Sequence, residues 1–253
     1  FHLYDVQLLN RVTWDNIIIP PDPTELGWKD TVRVSPLEDT YFAIRPIIPV
    51  FPWEIPNSIR PLNPMMPLGD TSMFNPTDPQ GNPTNPIVNE LVNFGWEYML
   101  HCHILSHEEM DMMRPNLVAV PPLKPSIVTA GLTGAGASQI LSLTWNDNSI
   151  TETSFRVEGT TDNINWVPIG SVLSPLALPN VHEVRSFTGP VPVAGLVAVR
   201  IAAVNTVGYG DGTLGGNVVN PPVGNYPSMS VQTVSDPFVL APLFNSFLPG
   251  IFR

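Results

Sequence analysis

Cysteine is nearly absent: the 253-residue chain has one, Cys102. A lone cysteine excludes an internal disulfide and leaves no disulfide framework from which to read a redox compartment. Charge is sparse as well, at 13 % of residues, with 22 acidic against 11 basic side chains and a formal net of −11. That balance argues against nucleic acid and anionic membrane as partners. No apolar run reaches the length of a transmembrane helix. Long helices are disfavoured by 30 prolines and 18 glycines, which suit short strands joined by turns. Initiator methionine and signal-peptide pattern are both absent from the start. The opening "FHLYDVQLLN" reads as the middle of a strand, so the expectation is that something N-terminal to Phe1 has been cut away or lies in another chain.

What is present is apolar and strand-like. Hydrophobic residues make up 43 % of the chain, enough for one large domain or two medium ones with a sizeable core. In residues 1–120 the runs "FHLYDVQLL", "TVRVSPL", "TYFAIRPII" and "PNLVAVPP" are β-branched, apolar or alternating, and predict strands. Residues 49–89 are Pro-rich and loop-like, a length that points to a functional loop or an insertion. "SHEEMDMM" is the one short segment with a helical turn in its pattern.

"PPLKP" (121–125) reads as a stiff linker, and the composition changes after it. "ILSLTWNDNS", "TSFRVEGTTDNINWVPIG" and "VAVRIAAVNTVGYGDG" give short strands at turn-punctuated spacing, the signature of an all-β sandwich. Their order resembles a fibronectin type III domain. Trp145 matches that family's core tryptophan on the second strand, and "RIAAVNTVGYG" its penultimate strand and turn, although Ala198 or Val199 stands where a tyrosine is frequent. The expected extent is 121–222. The remainder, 223–253, is an apolar, aromatic, Pro-punctuated tail. Free in water it would expose a large apolar patch, so it is expected to pack on the protein or on a neighbouring subunit.

The scarce metal-binding residues are concentrated in one place. "GWEYMLHCHILSHEEMDMM" (95–113) holds three of the five histidines, the only cysteine and four of the eight methionines. Read as a strand, "LHCHIL" puts His101 and His103 on one face and Cys102 on the other. If all three bind metal, they serve two centres back to back, joined through the backbone, which suits electron transfer. Cys102 can reach His107 across a tight turn, with Met112 five residues beyond it. One thiolate, imidazole nitrogens and a weak thioether make a blue-copper centre, for which a second imidazole must come from elsewhere.

At these residues the segment resembles the last copper motif of the multicopper oxidases, H-C-H-I-x-x-H followed by an axial Met or Leu. Here it is His101, Cys102, His103, Ile104, His107 and then Met112, preceded by Gly95 and Trp96. Asp111 stands where the family often has Gly. The chain start resembles the end of the family's H-P-x-H-x-H motif and the strand after it, with His2 as the motif's third histidine, and "GWKDTVRV" (27–34) resembles the intervening strand. The resemblance covers about 1–120 and implies the C-terminal cupredoxin domain, a Greek-key β-sandwich lacking its N-terminal part. It implies a type 1 copper on Cys102, His107 and Met112. His2, His101 and His103 would be type 3 ligands of a trinuclear cluster whose other type 3 and type 2 ligands come from an N-terminal cupredoxin portion, in the same protein or a companion chain. It further implies one-electron oxidation of a small reductant, a metal ion or a phenolic, coupled to four-electron reduction of dioxygen to water. An extracellular, periplasmic or cell-surface location is expected. The whole is therefore expected to be all-β: a cupredoxin-like sandwich, a fibronectin type III-like sandwich and an extended tail, which could hold an oligomer together.

Other readings stand beside this one. A copper nitrite reductase would need only the histidine before the cysteine. A structural or adhesive surface module could keep a relic copper site. Structural zinc does not fit one cysteine between two histidines. Met65, Met66 and Met73 could bind cuprous ions or fill gaps in a core. Glu108, Glu109 and Asp111 could steer cations or form a solvated turn. His182, in the second domain and without partners, reads as a surface residue.

Overall fold

In the computed structural model of the chain, residues 3–77, 81–83, 85–134, 136–174, 182–208 and 228–240 are described. The fold is all-β, built of antiparallel sheets. The chain divides into two compact units, Phe1–Trp53 and Glu54–Arg253.

The first unit is a three-stranded sheet in the order β2-β1-β3, from β1 (Tyr4–Thr13), β2 (Ile18–Ile19) and β3 (Glu38–Pro46). The register runs from Tyr4 opposite Pro46 to Thr13 opposite Glu38, with a bulge between Leu8 and Asn10. Val6 and Leu8 are buried, and so is Arg11. A buried guanidinium needs its charge and its donors answered. Glu25 accepts from it at 2.8 and 2.7 Å, the Arg33 carbonyl at 2.9 Å, and Glu38 lies 3.1 Å from its Nε. The bidentate Arg11 contact is the main reason the Glu25 carboxyl is held down to about 2. This network corrects one expected strand. "TVRVSPL" forms none: Lys29 makes a single bridge to Val6, after which the Arg33 carbonyl is taken by Arg11 and the Ser35 N–H by Glu38.

The second unit opens with the Pro-rich segment, which carries β4 (Ile59–Pro61) paired with β5 (Leu91–Asn93). Asn89, 1 % exposed, organises the loop between them. Its Nδ2 donates to the carbonyls of Asn63, Met66 and Pro67, and its Oδ1 accepts from the Asn63 N–H. Then β6 (Trp96–His101) and β7 (Met113–Val118) form a hairpin, its two strands joined by a loop containing α1 (Leu105–Glu108).

The rest of the unit is a sandwich of β8 (Ser126–Thr133), β9 (Ile140–Asn146), β10 (Ser154–Thr160), β11 (Val167–Leu173), β12 (Val184–Pro190), β13 (Ala198–Gly208), β14 (Ser228–Val234) and β15 (Phe238–Val239). One sheet has the order β12-β9-β8. The other has β11-β10-β13-β14, with β15 also on β13. The alternation read from "ILSLTWN" is real: Leu141, Leu143 and Trp145 are buried while Ile140, Ser142 and Asn146 are exposed. Trp145 is fully buried and meets Phe155 edge-on at 5.3 Å between ring centroids. Val157, Val199, Ile201 and Ala203 close the core with them.

The second sheet takes in residues beyond 222. β14 pairs along β13, and Phe238 and Leu240 pack on the sandwich core. Residues 228–240 of the expected tail are thus part of the sandwich, while 223–227 and 241–253 lie outside the described residues. The "PPLKP" segment is also more than a spacer, because side chains on either side of it meet directly. Asn57 and Asn93 bond to Asn205 on β13, and Glu54 accepts from Ser149 at 2.6 Å.

Candidate metal centre

The β6–β7 hairpin presents the cysteine-histidine cluster at its tip. Register runs from Trp96 opposite Val118 to His101 opposite Met113. The strand ends at His101, so Cys102 and His103 lie just beyond it, a correction to the reading of "LHCHIL" as strand throughout. The ladder stops because the chain must turn. The Cys102 N–H is taken at 3.2 Å by the Met112 carbonyl across the mouth of the loop.

Within the loop α1 makes one helical turn, with Glu108 N–H on Ile104 O at 3.0 Å and Glu109 N–H on Leu105 O at 2.9 Å. The His107 carbonyl then accepts from Met110 at 3.2 Å and from Met112 at 3.1 Å. Returning to β7 requires a left-handed residue, and Asp111 takes it with φ 60°. That conformation explains why glycine suits this position: an L-residue there brings Cβ against its own backbone, while Asp is among the few that tolerate it.

The geometry brings four of the expected ligands to one loop as two pairs. Cys102 Sγ and His107 Nδ1 are 3.6 Å apart. Two donors on one metal ion, at about 2.3 Å for sulfur and 2.0–2.1 Å for nitrogen, stand about 3.5–3.8 Å apart at tetrahedral to trigonal angles. The observed spacing therefore fits one ion between thiolate and imidazole. The rings of His101 and His103 lie together, with centroids 4.8 Å apart and planes inclined by 46°. The expected pairing of these two imidazoles survives the end of the strand. His101 Nδ1 is 3.3 Å from the Cys102 carbonyl oxygen and 3.8 Å from Glu108 Oε1. A proton on Nδ1 shared with that carbonyl would leave the Nε2 lone pair open to a metal ion, the way a backbone acceptor commonly orients a ligating histidine.

Met112 joins the cluster through its backbone, and the residue is 58 % exposed. His2 lies outside the described residues. Among the described residues, no three His, Cys, Asp or Glu side chains converge on a single point as a metal site. Around the loop, Met99, Leu100, Ile104, Leu105 and Met110 are exposed apolar side chains.

Other candidate positions separate from this one. Met66 is buried, whereas Met65 and Met73 are exposed. His182 is exposed as expected but has a partner, Glu54 Oε2 at 2.8 Å. Two features of the hairpin were not anticipated. Glu97 on β6 is held by Ser58 at 2.7 Å and Arg60 at 2.6 Å. Burial raises its carboxyl, but these two partners outweigh burial and leave it below its ordinary value. The second is the asparagine contact at the hairpin base. Asn93 in "LVNFGW" and Asn205 in "AAVNTVG" each interrupt an apolar strand pattern with a polar side chain, which marks each residue but not its partner. Comparison with protein-family models, with curated proteins and with solved structures returns no match.

Proposed function

We propose that the chain is the C-terminal part of a multicopper oxidase, a cupredoxin-like portion followed by a fibronectin type III-like domain. The observation that carries this reading is the 3.6 Å spacing of Cys102 Sγ and His107 Nδ1, on the same loop as the paired rings of His101 and His103. Cys102, His107 and Met112 would hold a type 1 copper, and His101 and His103, with His2, would be type 3 ligands. Copper bound there would supply one-electron chemistry toward a metal-ion or phenolic reductant and the reduction of dioxygen to water.

The chain's own residues contribute position and connectivity. The Cys102 peptide is bonded directly to His101 and His103, so the two ligand groups are separated by covalent bonds alone. The Met112 carbonyl and the turn at Asp111 set the loop that brings His107 back to Cys102. The exposed apolar side chains around the loop suit burial against another protein surface, in keeping with an N-terminal cupredoxin portion that completes both centres. The orders β12-β9-β8 and β11-β10-β13-β14, with Trp145 buried on the second strand, support the fibronectin-like reading. An extracellular, periplasmic or cell-surface location goes with the same reading.

The test is copper content together with oxygen uptake, measured on this chain joined to an N-terminal cupredoxin portion. Four coppers with reductant-dependent oxygen consumption is the expected result. Two coppers would favour a nitrite reductase-like enzyme, and one or none a structural module with a relic site.

A further inference from the structure

We infer that Asn205, in the fibronectin-like sandwich, is a positioning residue for the candidate metal loop, because it clamps both legs of the β6–β7 hairpin at their base. Asn205 is fully buried, and both ends of its side chain are in use. Its Oδ1 accepts from Asn93 at 3.0 Å and from Asn57 at 3.2 Å. Its Nδ2 donates to the Val120 carbonyl at 2.9 Å and to Asn57 Oδ1 at 3.4 Å. Two donors and two acceptor sites are the full capacity of an asparagine.

The partners lie at the two ends of the hairpin. Asn93, 1 % exposed, also donates to the Thr206 carbonyl at 2.8 Å, and its Oδ1 accepts from the Gly95 N–H at 2.8 Å. Gly95 immediately precedes β6. Val120 lies two residues past the end of β7. One side chain therefore fixes where the strand leading to Cys102 begins and where the strand returning from Met112 ends. Asn57 ties the same point to the Thr151 carbonyl at 2.7 Å.

A purely apolar contact between hairpin and sandwich could slide by a residue at small cost. A largely buried network whose members are all satisfied has one register only, since a shift leaves the buried amides of Asn93 and Asn205 unpaired. The strand from Trp96 to His101 spans about 17 Å, and it is paired along its length, so a shift at the base is carried to the tip. The sandwich is thus a structural part of the loop's support. The functional meaning of this clamp rests on the oxidase reading, but its existence does not.

The experiment is amide hydrogen exchange on the full chain without metal, in wild type and Asn205→Ala. Exchange in β6 and β7, and of the Cys102 N–H between them, should accelerate about tenfold or more beyond any change in β9 and β10. Alkylation of Cys102 should accelerate with it. Unchanged β6–β7 exchange, or a rise no larger than that of β9 and β10, overturns the clamp and makes Asn205 a residue of sandwich stability alone. Should Asn205→Ala fail to fold, Asn57→Ala is the second variant. It removes the half-buried member and keeps the Asn93–Asn205 bond. The same selective acceleration at about threefold is expected there, and uniform or absent change overturns the inference. Because no copper is involved, failure here leaves the oxidase reading intact, and failure of copper binding leaves the clamp intact.

Discussion

Gly95 is the tightest point of the hairpin base, and Gly95→Ala measures how tight. Its φ is +59°, in the left-handed region, where an L-residue costs about 1–2 kcal/mol. An added Cβ would also stand 2.5 Å from the Val118 carbonyl oxygen and 2.7 Å from Val207 Cγ1. The first neighbour is backbone in the paired strand, so it yields only by moving β7, and overpacking of this kind costs about 1–3 kcal/mol. The expected destabilisation is about 2–5 kcal/mol in urea unfolding monitored by far-UV circular dichroism. Gly69→Ala supplies the control. Its φ is +89° and nothing lies within 4 Å of the added atom, so it isolates the backbone cost of about 1–2 kcal/mol. Gly95→Ala should exceed that control and should speed alkylation of Cys102. If the two variants lose equal stability, the packing of Gly95 between Val118 and Val207 is not what holds the hairpin.

Asp111→Gly should be neutral or stabilising by up to about 1 kcal/mol, and Asp111→Val destabilising by about 1–2 kcal/mol, in thermal unfolding; a Val variant as stable as wild type contradicts the left-handed turn. Trp145→Ala should cost about 3–5 kcal/mol by chemical denaturation. Trp145→Phe should cost much less, because the indole Nε1 has no hydrogen-bond partner among the described residues to lose. Glu25 sets a pH window for the first unit. Its carboxyl is depressed in the folded state, so its contribution is complete above the ordinary value of 4.5 and is lost as pH falls toward about 2. Glu25→Gln should flatten the urea midpoint across that window, and an unchanged acid dependence in the variant would assign it to other carboxylates.

The strands were legible wherever apolar residues alternate. Leu141, Leu143 and Trp145 fall every second position, and β9 can be read from that alone. The segment 31–37 reads equally well as a strand, yet its backbone groups are claimed by the buried Arg11 network, a contact over distance that no local pattern announces. β14 and β15 were hidden for a related reason. "SMSVQTV" has weak alternation, and its place is fixed by the unpaired edge of β13. At the candidate centre the spacing of His101, Cys102, His103 and His107 was enough to bring these residues to one loop. The support for that loop was not, because Asn93 and Asn205 are 112 positions apart in sequence and only the fold makes them neighbours.

The central claim is that Cys102 and His107 share one metal ion. Titrating the reduced full chain with Co(II) reads it directly, since thiolate ligation produces an intense sulfur-to-cobalt absorption band that imidazole and carboxylate ligands do not give. Shared ligation predicts such a band saturating at one equivalent in wild type, absent in Cys102→Ser and weakened or lost in His107→Ala. A chain that gives no thiolate band, or a band of undiminished strength and affinity in His107→Ala, contradicts it.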